Sequence, residues 1–292
     1  MKLSIIIVSW NVRDLLKKCL ESILRYEHGV DYEIIVVDNG SWDGTQEMLK
    51  NIKYPPSPRL RRTSQTPKIR IISNDKNLGF AKANNQGIKE AKGEYVLLLN
   101  PDTEFIEDAL SKCVAKMESD EKIGVLGCQL LNPDRTIQHS VRAFPRARDI
   151  LVMFLKLHKL FPSLLDRYLA KDFFKKFSSS GPSPLRRQGY GGQAYPLPGR
   201  ERGLYEVDQV MGAFFLVRRK VFDEIGLLDE KFFIWFEEVD FCRRARNNGW
   251  KVVYYPYAWI IHHQGQSFAQ TSSLKKQMWF FKSALRYFTK GD

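Results

Sequence analysis

The sequence predicts an α/β fold, a mostly parallel central sheet flanked by helices. Two observations predict it. Four apolar runs, "LSIIIVSW", "YEIIVVD", "IRIISN" and "EYVLLLN", the first of them β-branched, are separated by stretches of helical character. Strands alternating with helices favour parallel pairing with helices on both faces. Polar residues also cluster where these runs stop, at Ser9 to Asn11, Asp38 to Ser41 and Asn100 to Asp102. In open α/β sheets ligands bind beyond the carboxyl ends of the strands.

The elements follow in order. "LSIIIVSW" is a buried strand, and "RDLLKKCLESILRY" repeats its apolar residues at helical spacing. "YEIIVVD" is a second strand ending in the turn "NGSWDG", and "TQEMLKNI" a second helix. "IRIISN" is a third strand. "GFAKANNQGIKEAKG" is a third helix, expected to stop at Gly93. "EYVLLLNPDT" is a fourth strand with a polar end. Beyond residue 104 the alternation loosens. "EDALSKCVAKMES" reads as a helix and "GVLGCQLLNPDRT" as a strand entering a turn. Residues 149–177 mix aromatics with lysines and fit either a surface helix on a membrane or a cover over the core. "YEVDQVMGAFFLVRRKVFDEIG" is a strand entering a helix. "WKVVYYPYAWIIHHQG" is one or two strands ending in His262 and His263.

Composition narrows the class. Hydrophobic residues make up 43% of the 292, enough for one large domain, and no apolar run reaches the ~18 residues of a membrane span. "MKLSIIIVSW" is too short for a signal peptide and runs straight into a helix. The cysteines, Cys19, Cys113, Cys128 and Cys242, are scattered without a C-x-x-C pair, as expected of reduced thiols in a cytoplasmic protein. The formal net charge is +13. Residues 55–67 and 178–203 each carry three net positive charges in Pro-, Gly- and Ser-rich text, and they share the near-repeat "SPRLRR" and "SPLRR". They read as insert-like loops in an older fold. A nucleic-acid binder would instead set its arginines along one folded face.

One acidic group stands out. In "FIWFEEVDFCRRARNNGW", Glu237, Glu238 and Asp240 follow aromatic and aliphatic bulk, and the segment from Glu237 to Asn248 reads as a helix that Gly249 can end. Acids in the first turn and arginines later suit the helix dipole. Buried against apolar neighbours, carboxylates are costly unless paired, bound or used.

Five motifs occur in sequence: "VVDNGSWDGT", "LLLNPDT", "GAFFLVRR", "FIWFEEVDFCRR" and "AWIIHHQG". Together they resemble family 2 glycosyltransferases of the GT-A fold, most closely a bacterial rhamnosyltransferase-like branch. The resemblance covers about residues 3–268 apart from the two insert-like loops. It implies a Rossmann-like GT-A domain with an acceptor-side subregion, followed by a basic aromatic C-terminal helix over 269–292. It also implies transfer of a sugar, with inversion, from a nucleotide-sugar donor (dTDP-rhamnose or another NDP-hexose) to a hydroxyl of a glycan or polyprenyl-diphosphate-linked glycan, in cell-surface polysaccharide synthesis. The basic, aromatic segments fit an anionic membrane surface, and the protein is expected in the cytoplasm or peripherally on the cytoplasmic face of the membrane.

Such chemistry must hold a base, a ribose and a diphosphate, neutralise the leaving group and deprotonate the acceptor. By resemblance, Asp38, Ser9 and Asn11 form the donor-base pocket, although Asp38 also fits a cap on the following helix. "NPD" stands where the family usually shows D-x-D, so Asp102 would hold Mg²⁺ or Mn²⁺ while Asn100 adds no charge. A second "NPD" at 132–134 reads as a turn. Asn77, Gly79 and Asn84, at a loop-to-helix junction, suit phosphate approach. Gly212 and Ala213 would lie near the transferred sugar. The pair Glu237-Glu238 resembles the family's two acids, of which the second is the general base, here Glu238 with its carboxyl pKa raised by Trp235 and Phe236. Glu237 would hold the acceptor or the loop, and Asp240 would fix nearby basic residues. His262 would be a further metal ligand, with His263 on the opposite strand face. The competing readings are a nucleotidyltransferase, which would want a Gly-rich basic loop where "SWNVRD" stands, and a non-catalytic nucleotide-binding scaffold on a similar fold.

Overall fold

The computed structural model describes residues 1–26, 29–51, 69–174, 203–265 and 272–290. Both insert-like loops lie outside the described residues, save Gly203. The first half alternates as expected: β1 (Leu3–Ser9), α1 (Arg13–Tyr26), β2 (Tyr32–Asp38), α2 (Thr45–Lys50), β3 (Ile69–Ser73), α3 (Phe80–Glu90) and β4 (Tyr95–Leu99). Then come β5 (Thr103–Phe105), α4 (Ala109–Glu118), β6 (Ile123–Leu131), the short β7 (Ile137–Gln138) and β8 (Val141–Arg142), and α5 (Ala147–Phe154). The chain continues with β9 (Tyr205–Glu206), β10 (Gln209–Val210), β11 (Phe214–Arg218), α6 (Arg219–Ile225), α7 (Glu237–Asn247), β12 (Lys251–His262) and α8 (Ser273–Thr289).

The main sheet runs β3-β2-β1-β4-β11-β6-β12-β5. Pairs β3/β2, β2/β1, β1/β4 and β6/β12 are parallel; β11 runs antiparallel between β4 and β6, and β5 antiparallel to β12. The central strands are buried along their whole length because both sheet faces are covered. Alternation sorts their side chains. Ile5 and Ile7 pack with Leu16, Leu20 and Ile23 of α1, while Ile6 and Val8 pack on the other face with Ala81, Ala83 and Ile88 of α3. Gly87 lets α3 lie close, since a Cβ there would stand 2.5 Å from Ile6 Cγ2. All four cysteines are free and buried.

Three sequence expectations change in detail. Helix α3 stops at Glu90, where Ala91 is already extended, rather than at Gly93. Gly93 serves a close approach instead: a Cβ there would stand 2.5 Å from Ser4 N. The segment from residue 149 is no single helix. Lys156 takes a left-handed φ of 55° after α5, and Pro162 opens a short 3-10 turn. Its Val152, Leu165 and Phe174 are buried as a cover over the core, while Leu151, Phe154 and Leu155 face solvent. The stretch before α6 holds β9 and β10 as well as β11, and β10 pairs with β8 in a separate small sheet.

Strand β12 is continuous, but its pairing with β6 skips from Tyr255 to Trp259. Pro256, which has no N–H for a ladder, sits in that bulge. Beyond it β12 pairs with β5, setting His262 opposite Thr103. This return strand carries the histidines back to the end of β4. Helix α8 packs Ala284 and Tyr287 against Phe232, Phe236 and Val239, so the C-terminal helix braces the segment entering α7.

Candidate active site

A cavity of about 430 Å³ opens at the carboxyl ends of β1 and β4. Its wall includes Trp10, Asn39, Asn77, Gly79, Asn100, Asp102, Gly212, Ala213, Glu237, Glu238 and His262. Ser9, Asn11, Asp38, Asn84 and Asp240 are not part of that wall.

Behind it, at the end of β2, Asp38 is fully buried and accepts hydrogen bonds from Ser41 N (3.2 Å) and Gln46 Nε2 (2.8 Å). Ser9 is equally buried, and its hydroxyl has no hydrogen-bond partner among the described residues. Asn11 adopts a left-handed φ of 54°; its N–H donates to Ser41 Oγ, and its Oδ1 accepts from Trp42 N. Trp10 and Trp42 meet edge to face at 5.8 Å, which presents an aromatic surface at the cavity rim.

The loop before α3 is ordered by Asn39. Its Nδ2 donates to Asn77 Oδ1 (3.0 Å), and its Oδ1 accepts from Leu78 N (3.0 Å) and Asn74 Nδ2 (3.1 Å). Asn77 Oδ1 also accepts from Gly79 N (2.9 Å). Gly79 has φ +91°, and a Cβ there would stand 2.7 Å from Phe233 O. Phe80 N donates to that same carbonyl at 2.7 Å. Asn84 turns inward to Phe80 O (2.9 Å), while Asn85 grips Leu228 through both its amide nitrogen and oxygen. These contacts fix the loop before α3 against the segment that leads into α7.

Asn100 N donates to Ala213 O (3.1 Å), tying β4 to the start of β11. Asp102 follows, 3% exposed, with an Oδ1 that has no hydrogen bond among the described residues. That oxygen lies 3.4 Å from His262 Nε2. The other ring nitrogen of His262, Nδ1, lies 2.7 Å from Gln138 Oε1. Gln138 Nε2 donates to Asn132 Oδ1 (3.0 Å), so Gln138 Oε1 is the acceptor and His262 Nδ1 carries the proton. With the proton of a neutral ring on Nδ1, Nε2 is the nitrogen that faces Asp102 and would be free to ligate a cation. Two such atoms, one anionic oxygen and one imidazole nitrogen, suit a shared divalent cation. Among the described residues no group of three or more His, Cys, Asp or Glu could hold a metal, so the remaining ligands would be donor oxygens and water. His263 points the other way, 2.8 Å from Glu104 Oε1. The second "NPD" is a turn closed by Asn132 N to Thr136 O (2.8 Å).

Glu237 and Glu238 open α7 on strained backbone. Trp235 and Phe236 both take left-handed φ, 61° and 72°, a costly state for large side chains. Packing holds them there: Phe236 lies 5.5 Å from both Phe280 and Tyr287, and Ser283 Oγ donates to Ile234 O (2.7 Å). Burial pushes the Glu237 carboxyl well above its usual range, and the neighbouring Glu238 charge adds to this. Burial also raises Glu238, with nearby Arg142 opposing the rise. Each has an Oε2 without a hydrogen-bond partner among the described residues. Gly212 faces Glu238, where a Cβ would lie 3.9 Å from Glu238 Cγ, an ordinary contact. Asp240 points elsewhere, to Arg244 Nε (2.9 Å) and Lys290 Nζ (2.8 Å).

The sequence reading did not single out Asn39, Gln138, Phe233 or Lys276. Asn39 could have been found inside "VVDNGS". Gln138 and Lys276 leave no local signal, because β7 and α8 reach the site only through the fold.

Comparison with known proteins agrees with this geometry. The profile of glycosyl transferase family 2 matches residues 4–187. The uncharacterized protein y4gI of Sinorhizobium fredii is 26% identical over 285 residues, which is 95% of this chain and 26% of that protein. The N-acetylglucosaminyl-diphospho-decaprenol L-rhamnosyltransferase of Mycobacterium tuberculosis is 25% identical over 245 residues, 80% of this chain and 67% of that one. The chain thus spans about a quarter of the first relative and two thirds of the second. Among solved structures, the mannosyltransferase PcManGT from Pyrobaculum calidifontis, in complex with GDP-Man and Mn²⁺, superposes with a TM-score of 0.59 at 13% identity, covering 100% of this chain and 65% of that one. That likeness shows the fold, a GT-A sheet with its cavity at the strand ends. With its profile match over more than half the chain, the protein belongs to glycosyl transferase family 2.

Proposed function

We propose that the protein transfers a sugar, with inversion, from a nucleotide-sugar donor to a hydroxyl of a glycan or polyprenyl-diphosphate-linked glycan in cell-surface polysaccharide synthesis. The work would be done at the cytoplasmic face of the membrane. The donor would be dTDP-rhamnose or another NDP-hexose. The observation that carries this reading is one cavity lined both by Asp102 and His262 and by Glu237 and Glu238. Nucleophile activation and leaving-group stabilisation need two such poles.

Asp38, Ser9 and Asn11 shape the base end, with Trp10 as an aromatic wall. Asn77 and the backbone at Gly79 border the diphosphate. Asp102 and His262 would hold Mg²⁺ or Mn²⁺, which when bound would supply positive charge to the leaving diphosphate. Gly212 and Ala213 leave room for the sugar. Glu238 takes the proton from the acceptor hydroxyl, and its raised pKa makes it a stronger base than an exposed glutamate. Glu237 positions the acceptor or stiffens the loop. Rhamnosyl transfer is the first donor to try, since one relative is named for it.

The test is a transfer and donor-hydrolysis screen across dTDP-, UDP- and GDP-sugars with manganese, using a synthetic polyprenyl-diphosphate glycan as acceptor. Turnover of one donor with an inverted anomeric product supports the proposal. Nucleotide binding without turnover of any donor would favour the scaffold reading.

A further inference from the structure

Helix α8 carries two apolar stripes. One packs inward through Phe280, Ala284 and Tyr287. The other, Leu274, Met278, Phe281, Leu285 and Phe288, repeats at the same helical spacing, yet its residues are 41% to 80% exposed. Helix α5 and the residue that caps it add Leu151, Phe154 and Leu155, each more than half exposed. The rings of Phe154 and Phe281 meet at 5.6 Å, so the two helix faces form one continuous surface. Monomeric soluble proteins rarely leave so wide an apolar face in water.

Charge decides what covers it. Residues 150–165 and 272–290 contain no aspartate or glutamate, while Lys156, Lys159, Lys275 and Lys282 are exposed among them. A two-fold contact between copies would set this cationic rim against itself. An anionic bilayer meets both demands, taking the apolar side chains among its acyl chains and the lysines among its headgroups. No helix among the described residues is long and apolar enough to cross a membrane. The same helix places Lys276 in the wall of the active-site cavity.

We propose that α5 and α8 form a docking face for an anionic bilayer that brings the cavity rim to the headgroup layer. Its purpose, delivering a lipid-linked acceptor, rests on the function proposed above. On a bilayer, a polyprenyl-anchored glycan reaches the cavity by lateral diffusion.

The test is flotation of the full chain with phosphatidylcholine vesicles, with and without phosphatidylglycerol. Wild type should float with the anionic vesicles, and salt should weaken this. The Phe281→Glu/Leu285→Glu variant should bind on the order of tenfold more weakly or less, with an unchanged melting temperature and unchanged donor hydrolysis. Lys275→Glu/Lys282→Glu, which leaves every apolar contact in place, should lose the preference for anionic vesicles, and it carries the test if the first variant misfolds. Flotation of both variants like wild type, no flotation of wild type, or a wild-type dimer that the first variant dissolves would each overturn the proposal. Flotation with no sugar turnover would leave the docking face standing and overturn only the proposed function.

Discussion

His262 Nε2 stands 3.4 Å from Asp102 Oδ1 because the end of β12, past the bulge at Pro256, pairs antiparallel with β5 and sets His262 opposite Thr103. Asp102 Oδ1 has no hydrogen bond among the described residues, and Gln138 holds the imidazole from behind through Nδ1. Residues 160 positions apart in sequence thus present one oxygen and one nitrogen to the same point.

That pairing predicts a metal dependence that can be divided. Asp102→Ala should abolish turnover and remove the gain in nucleotide affinity that manganese gives, as read by calorimetry with and without the ion. Gln138→Leu, at a residue outside the cavity wall, should lower manganese affinity by roughly 10–100-fold, the scale of lost support behind a ligand. A wild-type rate untouched by EDTA would contradict the assignment.

The buried acids predict a pH dependence of stability. A carboxyl whose pKa is raised by folding contributes stability that is full below its unfolded value. That contribution is lost as pH rises through the folded value. Burial raises Glu237 in this way from an ordinary 4.5. Glu237→Gln should therefore melt higher than wild type near pH 8, by at least a few degrees, the scale of about 1 kcal/mol in a chain of this size. The difference should vanish near pH 4. Parallel melting curves across that range would mean that Glu237 is not held against its charge.

Gly79 predicts a local effect with an internal control. Gly79→Ala meets both a positive φ and a carbonyl 2.7 Å away, and should cost roughly 1–3 kcal/mol while weakening donor binding. Gly249→Ala has a φ of +82° but open space around it. It should cost about 1 kcal/mol and leave donor binding alone. Denaturant melts and nucleotide titrations of both variants decide this; equal effects on donor affinity would remove Gly79 from the site.

Much of this was legible in sequence because it is local. The runs of β1, β2 and β4 are continuous and apolar, as burial on both faces requires. Their polar ends marked Asp38, Asn100 and Asp102, and the acids of "FEEVD" fell in the first turn of α7. The remainder is set by distance in the fold. The left-handed backbone at Trp235 and Phe236 is packed under α8, through Phe280 and Tyr287, far along the chain. Gln138 meets His262 through the pairing of β7 with β6. The outer stripe of α8 has the period of a core face, and only the folded chain shows its residues 41% to 80% exposed. Asp240 is a mixed case: Arg244, one turn on, is a local partner legible in sequence, whereas Lys290 reaches it only through the fold.

The central claim is that Glu238, open to the cavity beside Gly212, is the base. The most direct measurement is steady-state turnover of Glu238→Gln beside its calorimetric donor affinity, with Glu237→Gln and Asp240→Asn in parallel. Glutamine keeps the size and removes the basicity, so turnover should fall roughly a hundredfold or more with donor affinity nearly intact. Glu237→Gln should cost less or raise the acceptor KM, and Asp240→Asn should mainly cost stability. Near-wild-type turnover of Glu238→Gln, with the loss appearing in Glu237→Gln or Asp240→Asn, would contradict the account.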